Sequence, residues 1–141
     1  FSSPSGYIES SRSIKFNDFN NKAEAVGKVK IILPDRTKIF GDKVKADFTS
    51  KDKSLKKATV KGNVIIENTR KGQKSKADLG IYNSSDEIIK LIGNVVIINK
   101  KSIIKGSNGM TNLKTGVSNL LGNVKEGQRV KGVFFPKTKN K

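Results

Sequence analysis

The chain has 141 residues, enough for one domain with a real core, yet only 34% of them are hydrophobic and none is Trp, which suits a thin two-layer β-sandwich or a groove better than a thick α/β core. With no Cys there is no disulfide framework or thiolate metal site, and with no His the usual general base near neutral pH is missing. No apolar run reaches about 18 residues, so the sequence holds no transmembrane helix, and a net charge of +17 calls for an anionic neighbour or a tolerance of charge.

Residues 1–6, rich in Ser, Pro and Gly, are read as a flexible N-terminus. Tyr7-Ile8-Glu9-Ser10-Ser11 looks like a degenerate copy of Ile39-Phe40-Gly41-Asp42, with Ser11 in the place of the acid. Asn and Asp mark a turn at 17–21, and Pro34-Asp35 marks another. Beyond the first turn a signature recurs: Gly27-Lys28-Val29, Gly62-Asn63-Val64, Gly93-Asn94-Val95 and Gly122-Asn123-Val124, the glycines 35, 31 and 29 residues apart. Each of the first three is followed by a small residue with Asp or Ser, at Gly41-Asp42, Ala77-Asp78 and Gly106-Ser107, the second residue lying 15, 16 and 14 positions after the glycine. The chain is a repeat of two half-units, and a half-unit of this length suits one or two strands and a turn. Thr49–Ser54, Thr69–Gly72, Asn83–Asp86, Asn99–Ser102 and Lys114–Gly116 are the remaining turns, and a last strand over Gly127–Phe135 is stopped by Pro136.

The phase predicts strands. Positions of the same parity as the signature glycine are apolar: Ala23, Ala25, Val29, Ile31 and Leu33 around Gly27; Ala58, Val60, Val64 and Ile66 around Gly62; Ile89, Leu91, Val95 and Ile97 around Gly93. The opposite parity holds Lys28, Lys30, Lys61, Asn63, Glu67, Lys90 and Asn94. Alternation of this kind means one buried face and one wet face. Ile88, Ile92, Val96 and Ile98 break the pattern and predict a central strand covered on both faces. No helix start with a cap and a 3.6-residue period is visible, so the expected product is all-β, antiparallel and up-and-down.

The recurring acids Asp42 and Asp78 have Ser107 and Ser11 as their equivalents, so no acidic row survives and they are read as residues bonding nearby backbone. Gly62-Asn63-Val64 lacks the second glycine, the Lys-Ser/Thr and the helix of a phosphate loop. The glycine is read instead as a place where a strand bends or bulges, or where a ligand lies close to the backbone. Lys outnumbers Arg by 25 to 4, which argues against sequence-specific nucleic-acid recognition. Aromatic residues, at 6% of the chain, do not interleave with basic ones on one face as a nucleic-acid surface requires. No nucleophile–base set is present, so an enzyme is the least favoured reading.

Several stretches in chain order resemble the OstA-like (LptA) family of lipopolysaccharide transport proteins: Tyr7-Ile8-Glu9-Ser10, Ala25-Val26-Gly27-Lys28-Val29, Ala77-Asp78-Leu79-Gly80-Ile81-Tyr82, Ile89–Val95, Ile104-Lys105-Gly106-Ser107 and Gln128–Lys137. The resemblance implies an all-β OstA-like β-jellyroll of antiparallel strands over residues 7–136, open at both ends, with an apolar interior groove, followed by a basic tail at 137–141. It also implies a periplasmic bridge protein without cofactor or metal that binds lipid A acyl chains of lipopolysaccharide and joins copies of itself end to end. LptC-like and LptD-like proteins of the same system are its implied partners, and nucleic acid is not. On the parity above, the groove is expected to be lined by Val29, Ile31, Val64, Ile66, Ile89, Leu91, Val95 and Ile97; the resemblance adds Tyr82 at a family position that faces the interior, and aligning Gly41-Asp42 with Ala77-Asp78 adds Val44, Ala46 and Phe48 on the same face. The assembly strands are expected to carry Tyr7, Ile8 and Ile14 at one end and Val130, Val133 and Phe135 at the other. Departures from the family pattern are Ser107 in place of an Asp and Thr111 where an aromatic is common. Two other readings stand beside it: the periplasmic domain of an LptC-like anchor protein, and a β-solenoid structural polymer, which would want a single-coil period of about 18 residues.

Overall fold

A computed structural model of the chain describes residues 2–3, 6–68, 72–100, 102–121 and 125–128, with residues 2, 3, 6 and 125–128 described through their backbone only. The eleven strands are β1 (Ser2–Ser3), β2 (Gly6–Glu9), β3 (Ser13–Asn17), β4 (Lys22–Ile32), β5 (Lys38–Phe48), β6 (Leu55–Asn68), β7 (Gln73–Asn83), β8 (Ile88–Ile98), β9 (Ser102–Asn112), β10 (Ser118–Leu121) and β11 (Lys125–Gln128). All pairings are antiparallel, and neighbours in sequence are neighbours in the sheet from β4 to β10. At one edge β2 and β3 lie in line along β4; at the other β10 and β11 lie along β9. β1 runs back along β2, within the stretch set apart as the flexible N-terminus. Among the described residues the two edges do not pair with each other, so the sheet is open.

Each long strand is broken near its middle. The register shifts between Val26 and Val29, between Lys61 and Val64 and between Ile92 and Val95, so the breaks run in a line across the sheet. At each break the signature glycine and its successor both have positive φ: 91° and 40° at Gly27-Lys28, 82° and 49° at Gly62-Asn63, 84° and 49° at Gly93-Asn94. Two residues of one strand then face one of its neighbour, the arrangement of a β-bulge, which bends the strand and raises its twist. Glycine is required at the first position, since a Cβ on Gly62 would lie 2.6 Å from Asp42 Oδ2 and one on Gly93 would lie 2.7 Å from Asp78 Oδ2. The two acids accept hydrogen bonds from the amides of the bulge asparagines, Asn63 Nδ2 at 3.0 Å and Asn94 Nδ2 at 2.9 Å. They bond side chains across the corner, rather than the nearby backbone as the sequence suggested. At the first corner the hydroxyl of Ser10, not Ser11, donates to the carbonyls of Val26 and Gly27, because residues 10–12 interrupt the edge strand.

A line of bends divides the sheet into two walls. One face of both walls is nearly free of solvent, and its side chains form a single hydrophobic cluster from Ile8 to Leu113. Among the described residues there is no helix and no second sheet to cover that face. The sheet therefore covers itself, folding along the corners so that the walls press together. Glycines make room near the corners: a Cβ on Gly41 would collide with Val60 Cγ1, and one on Gly109 would crowd Val95 and its register partner Leu120.

The expectation of a central strand covered on both faces fails. In β8 the interior face is Ile89, Leu91, Val95 and Ile97, each at most 3% exposed, while Ile92 on the other side is 40% exposed and Ile88, Val96 and Ile98 are half-buried. The described residues form one sheet with no second layer, so none of them covers the outer face.

Candidate functional site

The site to examine is the interior, because the sequence placed every candidate ligand contact there. All twelve predicted lining residues fall in the one buried cluster, none more than 6% exposed. The register shows how they meet. On the first wall, Ala23, Ala46, Ala58, Tyr82, Ile89 and Thr111 follow one another across six strands. On the second, Ile31, Ile39, Ile66, Ser75 and Ile97 do the same. The alanine run leaves room for larger rings beside it: Phe48 meets Phe16 edge to face at 5.6 Å, and the Lys53 ammonium lies 5.6 Å from the Phe16 ring centre.

The site contains more than sequence reasoning found. Ile39, Leu55, Ala77 and Leu113 also belong to the cluster; the parity argument reaches Ile39 and Ala77 once it is extended to the strands that lack a signature glycine, while Leu55 has the opposite parity to Gly62 and faces inward only because the register shifts between Asp47 and Phe48. The buried polar residues are Thr37, Ser75 and Thr111, and no charged side chain is among the buried residues described. Lys43, Lys45, Lys61, Lys76, Lys90 and Lys105 stand exposed on the outer face of the strands. Charge and hydrocarbon are thus separated by the thickness of one sheet.

Of the predicted assembly residues, Ile8 is only 2% exposed and belongs to the interior cluster, and Ile14 packs against it, while Tyr7 is half-buried. Ile8 and Ile14 thus serve the domain's own core, and Tyr7, opposite Ile32, lies on the outer face of the edge strand. Among the described strands, β3 pairs with β4 alone, and β10 and β11 with β9 alone. Val130, Val133 and Phe135 lie outside the described residues.

Two turns reach across to Tyr82. Burial pushes its hydroxyl above the ordinary tyrosine value, and the negative charges of Glu87, Asp35 and Asp86 add to the effect. A raised pKa means the folded chain holds this proton where the unfolded chain has begun to lose it, above about pH 10. The contribution of Tyr82 to stability is whole below that pH and is lost as pH rises toward the folded-state pKa. Urea midpoints measured at pH 8, 10 and 11 are expected to fall more steeply for the native chain than for Tyr82→Phe; equal slopes would mean the hydroxyl is not held in this environment.

The described surface clefts lie outside the interior. One of about 500 Å³ follows the β3–β4 hairpin beside Phe16 and Phe19, and another of about 420 Å³ lies over the corner at Asn94, Val96, Lys105 and Ser107. Among the described residues no group of three or more His, Cys, Asp or Glu could hold a metal ion.

One bent antiparallel sheet with open edges and an apolar, uncharged interior defines a β-jellyroll of the OstA type. The family model of the LptA/(LptD N-terminal domain) LPS transport protein matches residues 7–117, and the chain belongs to that family. Among solved structures it is similar to that of LptH from Pseudomonas aeruginosa, described as the LptA-homologous periplasmic component of the conserved lipopolysaccharide transport device. The TM-score is 0.75 with 14% identity over 86% of this chain and 93% of that one, a likeness of fold. No curated protein matches the sequence.

Proposed function

We propose that this chain is a periplasmic carrier of lipopolysaccharide, not an enzyme, whose interior holds the acyl chains of lipid A and whose open edges join it end to end to copies of itself and to LptC-like and LptD-like partners, bridging the inner and outer membranes. The observation that carries the reading is the interior itself: a continuous apolar face, spread over both walls of one sheet, with no charged side chain among the buried residues described. Burial of hydrocarbon is worth about 25 cal/mol per Å² and needs no catalytic group. The walls are closed on each other, so acyl chains enter by parting them and replace wall-to-wall contacts with wall-to-lipid contacts. That exchange conserves apolar burial, which keeps it within reach of a domain of ordinary stability. Outer lysines are ammonium point charges suited to phosphate at the rim. The outer edges of β3 and β10, beyond which no further strand pairs among the described residues, are places for strand addition, and left alone such edges would invite aggregation.

A photo-crosslinker scan in cells tests it, with probes at Tyr82, Ile66 and Leu91 set against Lys61 and Lys90. Lipopolysaccharide adducts are expected at the first three and absent at the two lysines. Adducts at neither set would sink the carrier reading in favour of a structural polymer. Adducts at both would keep the lipid and discard the interior as its path.

A further inference from the structure

The interior is not uniformly apolar, and its polar atoms are not scattered. From β4 to β6 the interior strand positions are hydrocarbon or glycine, except for Asn68 at the end of β6, opposite Gln73. At the other end, Gln73 on the second wall donates from Nε2 to Ser118 Oγ on the first wall at 2.5 Å. Ser118 Oγ in turn shares a hydrogen bond of 2.9 Å with Thr111 Oγ1, only 8% exposed. β7 and β10 are separated by two strands in the sheet, so this chain of bonds spans the interior from wall to wall.

A second, independent atom lies on the same rim. Thr37 is 1% exposed, and its Oγ1 has no hydrogen-bond partner. Its neighbour Lys38 pairs with Glu67, and the next residue, Asn68, pairs with Gln73. Thr37 and Gln73 therefore sit at the same level of the second wall, two strands apart, or about 10 Å. A buried hydroxyl without a partner is costly, as is a bond that breaks when the walls part. Hydrocarbon can satisfy neither.

Building on the acyl-carrier reading, we infer that this rim is a polar subsite inside the conduit. It takes the hydrogen-bonding linkage of an acylated amphiphile, an amide or hydroxyl group, while the interior beyond takes the chain. Thr37 Oγ1 donates to a carbonyl of the cargo. When the walls open, Gln73 and Ser118 exchange their bond to each other for bonds to the cargo's amide. The subsite makes the carrier distinguish amide-linked acyl chains from plain alkyl chains of the same length.

The test compares two probes, N-tetradecanoylglucosamine and tetradecyl glucoside, titrated calorimetrically into the full chain below their micelle concentrations. The native chain is expected to favour the amide probe by about 5-fold, the worth of one net hydrogen bond. Thr37→Val and Gln73→Met are each expected to bring that ratio toward one, and the outward-facing Lys90→Gln to leave it as in the native chain. Thr37→Val serves as the clean variant, since removing an unpartnered buried hydroxyl leaves the unliganded fold at least as stable, which urea melts would show. A native ratio of one, or a ratio unchanged in both Thr37→Val and Gln73→Met, overturns the subsite and leaves the acyl interior standing. Failure of the native chain to bind either probe overturns the acyl-carrier reading, and the subsite with it.

Discussion

Gly93→Val is expected to destabilise the fold by about 3 kcal/mol, among the largest losses available to a single substitution outside the core. Gly93 holds φ at 84°, where a β-branched residue is a steric outlier. Its Cβ would also stand 2.7 Å from Asp78 Oδ2, so the carboxylate must move. Moving it breaks the 2.9 Å bond from Asn94 Nδ2 that fixes the corner. The damage is not local, because the bend at Gly93 sets the angle at which Ile89 and Leu91 on one wall meet the opposite wall. Asn94→Gly is the control. Glycine accepts the φ of 49° found there, so only an exposed amide–carboxylate bond is lost, at about 1 kcal/mol. Urea denaturation of the three proteins measures both effects. A Gly93→Val midpoint close to that of Asn94→Gly would show that the corner relaxes freely and does not set the geometry of the walls.

The corner also shows where sequence reading succeeds and stops. The glycine was legible as a bend because it sits in phase with Val29, Val64 and Val95 and recurs at a near-constant spacing. The same parity put Val29, Ile31, Val64, Ile66, Ile89, Leu91, Val95 and Ile97 on the buried face, where a one-residue error would have put Lys90 in the core and Leu91 in water, and the family resemblance added Val44, Ala46, Phe48 and Tyr82, which are buried with them. The partnership of Asp42 with Asn63, 21 residues away, depends on how adjacent strands slip at the bulge, and alternation carries no information about slip. Ile8 was assigned to an assembly surface because it lies near a chain end. The register Ile8 to Ile31 puts its side chain on the interior face, in phase with Ile14 opposite Ala25 beyond the interruption at 10–12. The outer isoleucines of β8 misled in the other direction: apolar residues on both parities suggested two covering layers, where the fold has one sheet and leaves Ile92 wet. The bond from Gln73 to Ser118 joins positions 45 residues apart on facing walls, and appears only when the sheet has folded on itself.

Leu91→Ala tests the fold and the carrier reading together. Leu91 is fully buried, and its partners on both adjacent strands are glycines, Gly80 and Gly109. Neither has a side chain that could swing into the space a truncation leaves. Large-to-small substitutions of this kind cost about 2–5 kcal/mol, more where the site cannot collapse, so the unliganded variant is expected in the upper part of that range. An acyl chain running along the interior would enter the vacated space. Saturating N-tetradecanoylglucosamine is therefore expected to stabilise the variant more than the native chain, where about 2.7 kcal/mol follows from ligand at a hundred times its Kd. Urea melts with and without the amphiphile give all four stabilities. Equal ligand stabilisation in both proteins would place the acyl path away from Leu91. None in either would mean that the closed core is only a core, and that the walls do not part for hydrocarbon.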